Sequence, residues 1–133
     1  KEKRCRETSL FSLVYSNIFR TFVHYKNRQH HMDIINQIVV TLKDRLGSND
    51  EAYLYGSRAR GTAKSDSDWD ILILLDKDKL KTEDYDNVSY YLTYLGWDID
   101  QIISPVMYTK KEWQQQTSTP FYKNVTTESI RLI

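Results

Sequence analysis

Residues 56–75 read GSRARGTAKSDSDWDILILL: a glycine–serine corner, a basic loop, two aspartates one residue apart, and then an unbroken aliphatic run. The run has the composition of a central strand covered on both faces, so Asp68 and Asp70 stand at the mouth of a buried strand. Carboxylates near such a position are costly unless a cation or hydrogen-bond donors compensate them. Side chains alternate along a strand, so Asp68 and Asp70 project to one side while Trp69 and Ile71 project to the other. The pair forms a two-pronged clamp of hard oxygen ligands, suited to Mg²⁺ or Mn²⁺.

The corner before the clamp has its own chemistry. A chain that leaves a strand through Gly56-Ser57 must turn sharply or start a helix, and such a corner presents backbone N–H groups to which a phosphate can draw close. Ser57 adds a hydroxyl, and Arg58, Arg60 and Lys64 add positive charge. Of the three cations, Arg60 is the candidate ligand contact, whereas Arg58 and Lys64 read as a solvated loop. Either half of the pattern is weak by itself, since Gly-Ser turns and exposed acidic pairs are common. Joined and running into ILILL, the two halves point to nucleotide chemistry.

Outward from this stretch, Ile34, Ile35, Ile38, Val39, Leu42 and Leu46 recur at helical spacing, with Asp33 as a cap and Gly47 as the stop. EAYLYG (51–56) reads as a strand that enters the corner. TEDYDNVSYYLTYLG (82–96) reads as a helix with Val88, Tyr91, Leu92 and Leu95 on one face. WDIDQIISPVMY (97–108) reads as a third strand, marked as an edge or a bulge by Pro105. Thr109 and Glu112 form a capping box for a short helix. Thr119 caps another, with Pro120 at its first position and Val125 and Ile130 facing inward. Trp69, Trp97 and Trp113 read as core or interface rings.

The chain has 133 residues, 40% hydrophobic and 28% charged, the composition of an ordinary globular domain and not of a disordered chain. Its charge is uneven: residues 1–31 hold seven Lys/Arg against Glu2 and Glu7, leaving twelve basic and sixteen acidic residues beyond them. The composition breaks just before Met32, so we expect Met32 to be the natural start, with 1–31 a basic extension outside a domain spanning 32–133. LFSLVYSNIF within the extension is interrupted by polar residues and lacks a clear small-residue cleavage site, which argues against a secretory signal. The single cysteine, Cys5, fits a reducing cytoplasm, and no stretch reaches the length of a transmembrane helix.

G-S-x-A-R-G followed by S-D-x-D and aliphatic residues resembles the signature of the minimal nucleotidyltransferases of the DNA polymerase β superfamily. Gly56, Ser57, Ala59, Arg60, Gly61, Ser67, Asp68 and Asp70 match it. The later PFYKNVTTESI is similar to the PF-x-x-NV-x-x-E-G-I tail of bacterial members, except that Ser129 stands in place of Gly. The resemblance spans 33–131 and implies an α/β (α+β) domain, a small mixed sheet flanked by helices. It also implies a third carboxylate on a neighbouring strand, with Asp100 favoured over Asp98.

By that resemblance Asp68, Asp70 and Asp100 would be the catalytic, metal-binding set for two Mg²⁺ ions, with Mn²⁺ as a substitute. Gly56, Ser57, Arg60 and Ser67 would hold an NTP, ATP being the expected one. The product would be a nucleoside monophosphate, AMP, joined to an acceptor hydroxyl. A domain of this size lacks the extra module that larger relatives use to hold an acceptor, so a partner or a second subunit is expected. The minimal group suggests a helical HEPN-type protein in a toxin–antitoxin pair, with neither nucleic acid nor a membrane required. A partner-binding antitoxin without catalysis and an aminoglycoside-type transferase are the alternatives.

Overall fold

A computed structural model describes the backbone of residues 3–133 and the side chains of residues 18–133. The elements are α1 (Lys3–Arg45), β1 (Glu51–Tyr55), α2 (Ser57–Arg60), β2 (Trp69–Leu75), α3 (Thr82–Asp84), a π-helical turn (Tyr85–Ser89), α4 (Tyr90–Asp98), β3 (Ile103–Thr109), α5 (Lys110–Gln114), α6 (Pro120–Glu128) and β4 (Ile130–Arg131). By internal contacts the chain forms two units, Lys1–Asn36 and Gln37–Ile133. The first is helical, and its side chains from 18 to 30 are exposed, among them Ile18, Phe22 and Tyr25. Helix α1 runs through Asp33, so that residue is not the N-cap its position before the apolar repeat suggested. No helix among the described residues is long and apolar enough to cross a membrane.

The second unit is built on a four-stranded mixed sheet of order β3-β2-β1-β4. Strands β1 and β2 are antiparallel, β4 is antiparallel to β1, and β3 is parallel to β2. Strand β2 is central, and every residue from Ile71 to Leu75 is buried, as the aliphatic run requires. Alternation divides the sheet into two faces. One carries Asp70, Leu72 and Leu74 with Tyr53 and Tyr55 of β1 and Ser104, Val106 and Tyr108 of β3. Beyond its charged end this face is packed by Trp113 of α5 and by Phe121, Tyr122 and Val125 of α6. The other face carries Trp69, Ile71 and Ile73 with Leu54, Ile103 and Met107, all buried. The α4 segment lies by β3, and its Leu92 is buried together with Val88 of the π turn.

Three readings are revised. The helix expected from 82 to 96 contains a π turn and continues to Asp98. The third strand begins at Ile103 instead of 97, because the chain first reverses through a turn with Asp100 at φ 53°. Gly96 makes the turn possible: a Cβ there would stand 2.6 Å from the Gln101 carbonyl, whose own N–H donates to the Gly96 carbonyl at 2.8 Å. Ile130 pairs with Leu54 in β4 and is 49% exposed, so it does not face inward from a helix. The capping box at Thr109, the Thr119 cap and Pro120 at the first turn are present as read. Pro105 lies on β3, which is an edge strand.

Asp84 anchors the entry to the α3–α4 run by accepting two bonds from Lys77 Nζ at 2.8 Å and one from the Lys81 N–H at 2.7 Å. Burial pushes its carboxyl up, but these donors outweigh burial and hold it below the usual range. A carboxyl with a lowered folded pKa stabilises the fold above its unfolded pKa and ceases to do so as pH falls through the folded one. Asp84→Asn is therefore expected to cost roughly 1 kcal/mol at neutral pH, the size of a lost cap. In urea titrations its gap to the wild type should close as pH drops below the ordinary carboxylate range.

Candidate functional site

Antiparallel pairing sets Tyr55 opposite Asp70, so the residue that follows β1 turns directly over the mouth of β2. That residue is Gly56, with φ 74° and ψ −158°. A Cβ at this position would collide with the Asp70 carboxylate. Glycine is thus required twice, for the backbone angle and for the space. Helix α2 begins at Ser57 and closes at Gly61, a left-handed cap with φ 75°.

The loop from Gly61 to Asp68 is fastened by Arg58, which donates through Nη2 to the carbonyls of Ser65 (3.2 Å) and Ser67 (2.8 Å). Its guanidinium also lies 4.6 Å from the centre of the Trp69 ring. Burial lowers its pKa, as fits a cation committed to the fold. Arg58 is therefore a structural clasp, which corrects its reading as part of a solvated loop. The Ser67 hydroxyl accepts the Lys64 N–H at 2.8 Å, so it is engaged in closing the loop.

Asp70 carries the electrostatic tension of the site. Burial first, and then the Asp68 and Glu128 charges, push its carboxyl above the usual range, while Arg60 opposes them. Neighbouring Tyr55 is pushed up to about 12 by burial and by the Asp70 and Tyr108 charges, so its phenol stays protonated near the carboxylate. Asp68 accepts the Ser104 hydroxyl at 3.3 Å, and Ser104 is the β3 residue in register with Asp70. The two like-charged carboxylates at this mouth are hard oxygen ligands that fit one divalent cation, and the backbone and guanidinium donors beside them suit an anion such as a phosphate.

Of the expected site residues, the fold brings together Asp68, Asp70, Gly56 and Arg60, with Ser57 at the start of α2. Asp98 ends α4 and Asp100 lies in the turn after it, so neither is on a strand, and Ser104 takes the place beside Asp70. The described residues contain no group of three Asp, Glu, His or Cys placed to hold a metal, so Asp68, Asp70 and Asp100 do not gather as such a set. Two participants were missed, Ser104 and Glu128. Glu128 accepts the Gly56 N–H at 3.1 Å and Arg60 Nη1 at 2.7 Å. Its signal was present in PFYKNVTTESI, quoted as a resemblance without a physical role.

Gly56→Ala should destabilise the domain by roughly 1–3 kcal/mol in urea titration. Asp70→Ala introduced beside it should recover only the part due to collision, since the strained φ persists. A carboxyl with a raised folded pKa opposes folding once ionised. Asp70→Asn should therefore raise the melting temperature without divalent ions, and, if the pair is the cation site, should not gain the further rise expected of the wild type in millimolar Mg²⁺. An undiminished Mg²⁺ response in that variant would place the cation elsewhere.

Residues 35–133 match the family model described as a nucleotidyltransferase domain. A comparison with curated proteins finds no match. Among solved structures, a toxin–antitoxin with AMP-PNP is similar at 25% identity and TM-score 0.55, over 74% of this chain and 72% of that one. A mutant of the toxin–antitoxin MntA-HpeT is similar at 26% identity and TM-score 0.52, over 74% and 70%. A tri-AMPylated Shewanella oneidensis HEPN toxin in complex with its MNT antitoxin shares the fold at 21% identity and TM-score 0.52, over 77% and 71%. With the model covering most of its length, the chain belongs to the nucleotidyltransferase domain family.

Proposed function

We propose that this protein is the nucleotidyltransferase member of a toxin–antitoxin pair, taking AMP from ATP and joining it to a hydroxyl of its partner protein. The observation that carries the proposal is the Gly56 corner closed over Asp70, which sets phosphate donors beside a carboxylate pair. The similar toxin–antitoxin structures, one with AMP-PNP, support the choice of nucleotide and partner class. We assign the activity to residues 32–133, with the basic stretch 1–31 as an extension outside it.

Asp68 and Asp70 would hold one Mg²⁺, which when bound draws charge from the phosphate oxygens. Arg60, the Ser57 hydroxyl and the α2 corner bind and orient the triphosphate. The acceptor oxygen bonds to the α-phosphorus, the bond from that phosphorus to the bridging oxygen of the β-phosphate breaks, and pyrophosphate and a proton are released. Tyr55 stands opposite Asp70 across the strand pair, and its phenol keeps its proton there.

A second reading, an antitoxin that neutralises its partner by docking alone, is favoured by one observation: Ser104 and not a carboxylate stands beside Asp70 on β3. Incubating the protein with Mg²⁺, ATP labelled at the α-phosphate and the helical protein encoded by the adjacent gene separates the two. Label on the partner, lost with Asp68→Asn, is the expected result. A stable complex that never becomes labelled would favour docking alone.

A further inference from the structure

The nucleotide corner is gripped by a residue more than seventy positions away in sequence. Glu128, the last residue of α6, spans two donors with its two oxygens: the Gly56 N–H at 3.1 Å and Arg60 Nη1 at 2.7 Å. Its side chain is only 17% exposed, whereas that of Arg60 is 49% exposed. The acid is thus the fixed partner and the arginine the adjustable one. Helix α2, which carries Arg60, is four residues long, too short to hold its own geometry without outside contacts.

We infer that Glu128 is a positioning residue for the nucleotide, presetting Arg60 and the Gly56 corner as phosphate donors beside Asp68 and Asp70. The inference rests on the nucleotide-binding reading above. An arginine that must be immobilised by its ligand gives up rotamer freedom on binding. The ion pair to the less exposed acid meets part of that cost before the nucleotide arrives. Guanidinium has five N–H donors, and the observed bond engages Nη1, which leaves the fork compatible with a phosphate oxygen. The Gly56 bond ties α6 to the backbone position where any displacement changes the distance to Asp70, and Glu128→Gln retains an oxygen that can accept it, so that substitution tests the guanidinium contact. Ser129, which follows Glu128, donates its N–H to the Val125 carbonyl at 2.9 Å, and the buried Val125 seats the helix.

The alternatives give different signs. A carboxylate that merely occupied the phosphate position would compete with nucleotide, and removing it would tighten binding. A carboxylate that only docked α6 would affect stability, and its effect on binding would be independent of Arg60. The decisive measurement is a double-mutant cycle on the full chain, titrated calorimetrically with Mg²⁺ and AMP-PNP, using Glu128→Gln, Arg60→Gln and the double variant. Glu128→Gln keeps the size of the side chain, and its melting temperature is read alongside. Each single variant is expected to weaken binding by about tenfold, equivalent to about 1.4 kcal/mol. The double variant should bind no more weakly than Arg60→Gln, because Glu128 acts through that guanidinium. Tighter binding by Glu128→Gln, unchanged binding, or losses that simply multiply would overturn the assignment. Absence of nucleotide binding in the wild type and all variants would instead remove the nucleotide reading, and this inference with it.

Discussion

The whole site depends on the contact between a backbone with no side chain and a carboxylate. Gly56 passes over Asp70 so closely that no Cβ fits between them, and this approach is fixed by the antiparallel register of β1 and β2. The register in turn is held by a buried β2, because slipping by one residue would exchange its two packed faces and carry Asp70 to the apolar face of Ile71 and Ile73. Core packing therefore sets the spacing between the corner and the acid.

Electrostatics at the corner follow from that spacing. Asp70 and Glu128 lie near one guanidinium with Asp68 beside Asp70, and the more buried of the aspartate pair has its carboxyl pushed upward. Such an arrangement is stable because the surrounding donors are specific: Ser104 to Asp68, and Gly56 and Arg60 to Glu128. The repulsion left at Asp70 is the condition that a bound cation would relieve.

How much of this could be read beforehand differed by residue. The alternation around Trp69, the aliphatic run to Leu75 and the turn at Gly56 are local signals, so β1, β2 and the corner were legible. So were the caps at Thr109 and Thr119, whose partners lie three residues away. The strand expected from 97 failed because alternation around Asp98 and Asp100 imitates a strand, while the actual reversal depends on Gly96 lacking a side chain where Gln101 returns. Arg58 was misread because its value lies in three-dimensional closure over Trp69 and the Ser65–Ser67 carbonyls. Glu128 has no local physical cue, only its place in the PFYKNVTTESI resemblance. Its partners are at Gly56 and Arg60, and only the packing of α6 on the sheet brings them together.

The sheet's two borders have a consequence for assembly. On one side β3 carries Pro105, which has no N–H to offer a further strand, in the middle of its length. On the other, β4 is only two residues long, too short to template the addition of a strand. Strand addition is disfavoured at both margins of the four-stranded sheet. Whatever associates with this domain is left to do so through helices, loops and side chains, and the sheet remains free to act as a rigid mount.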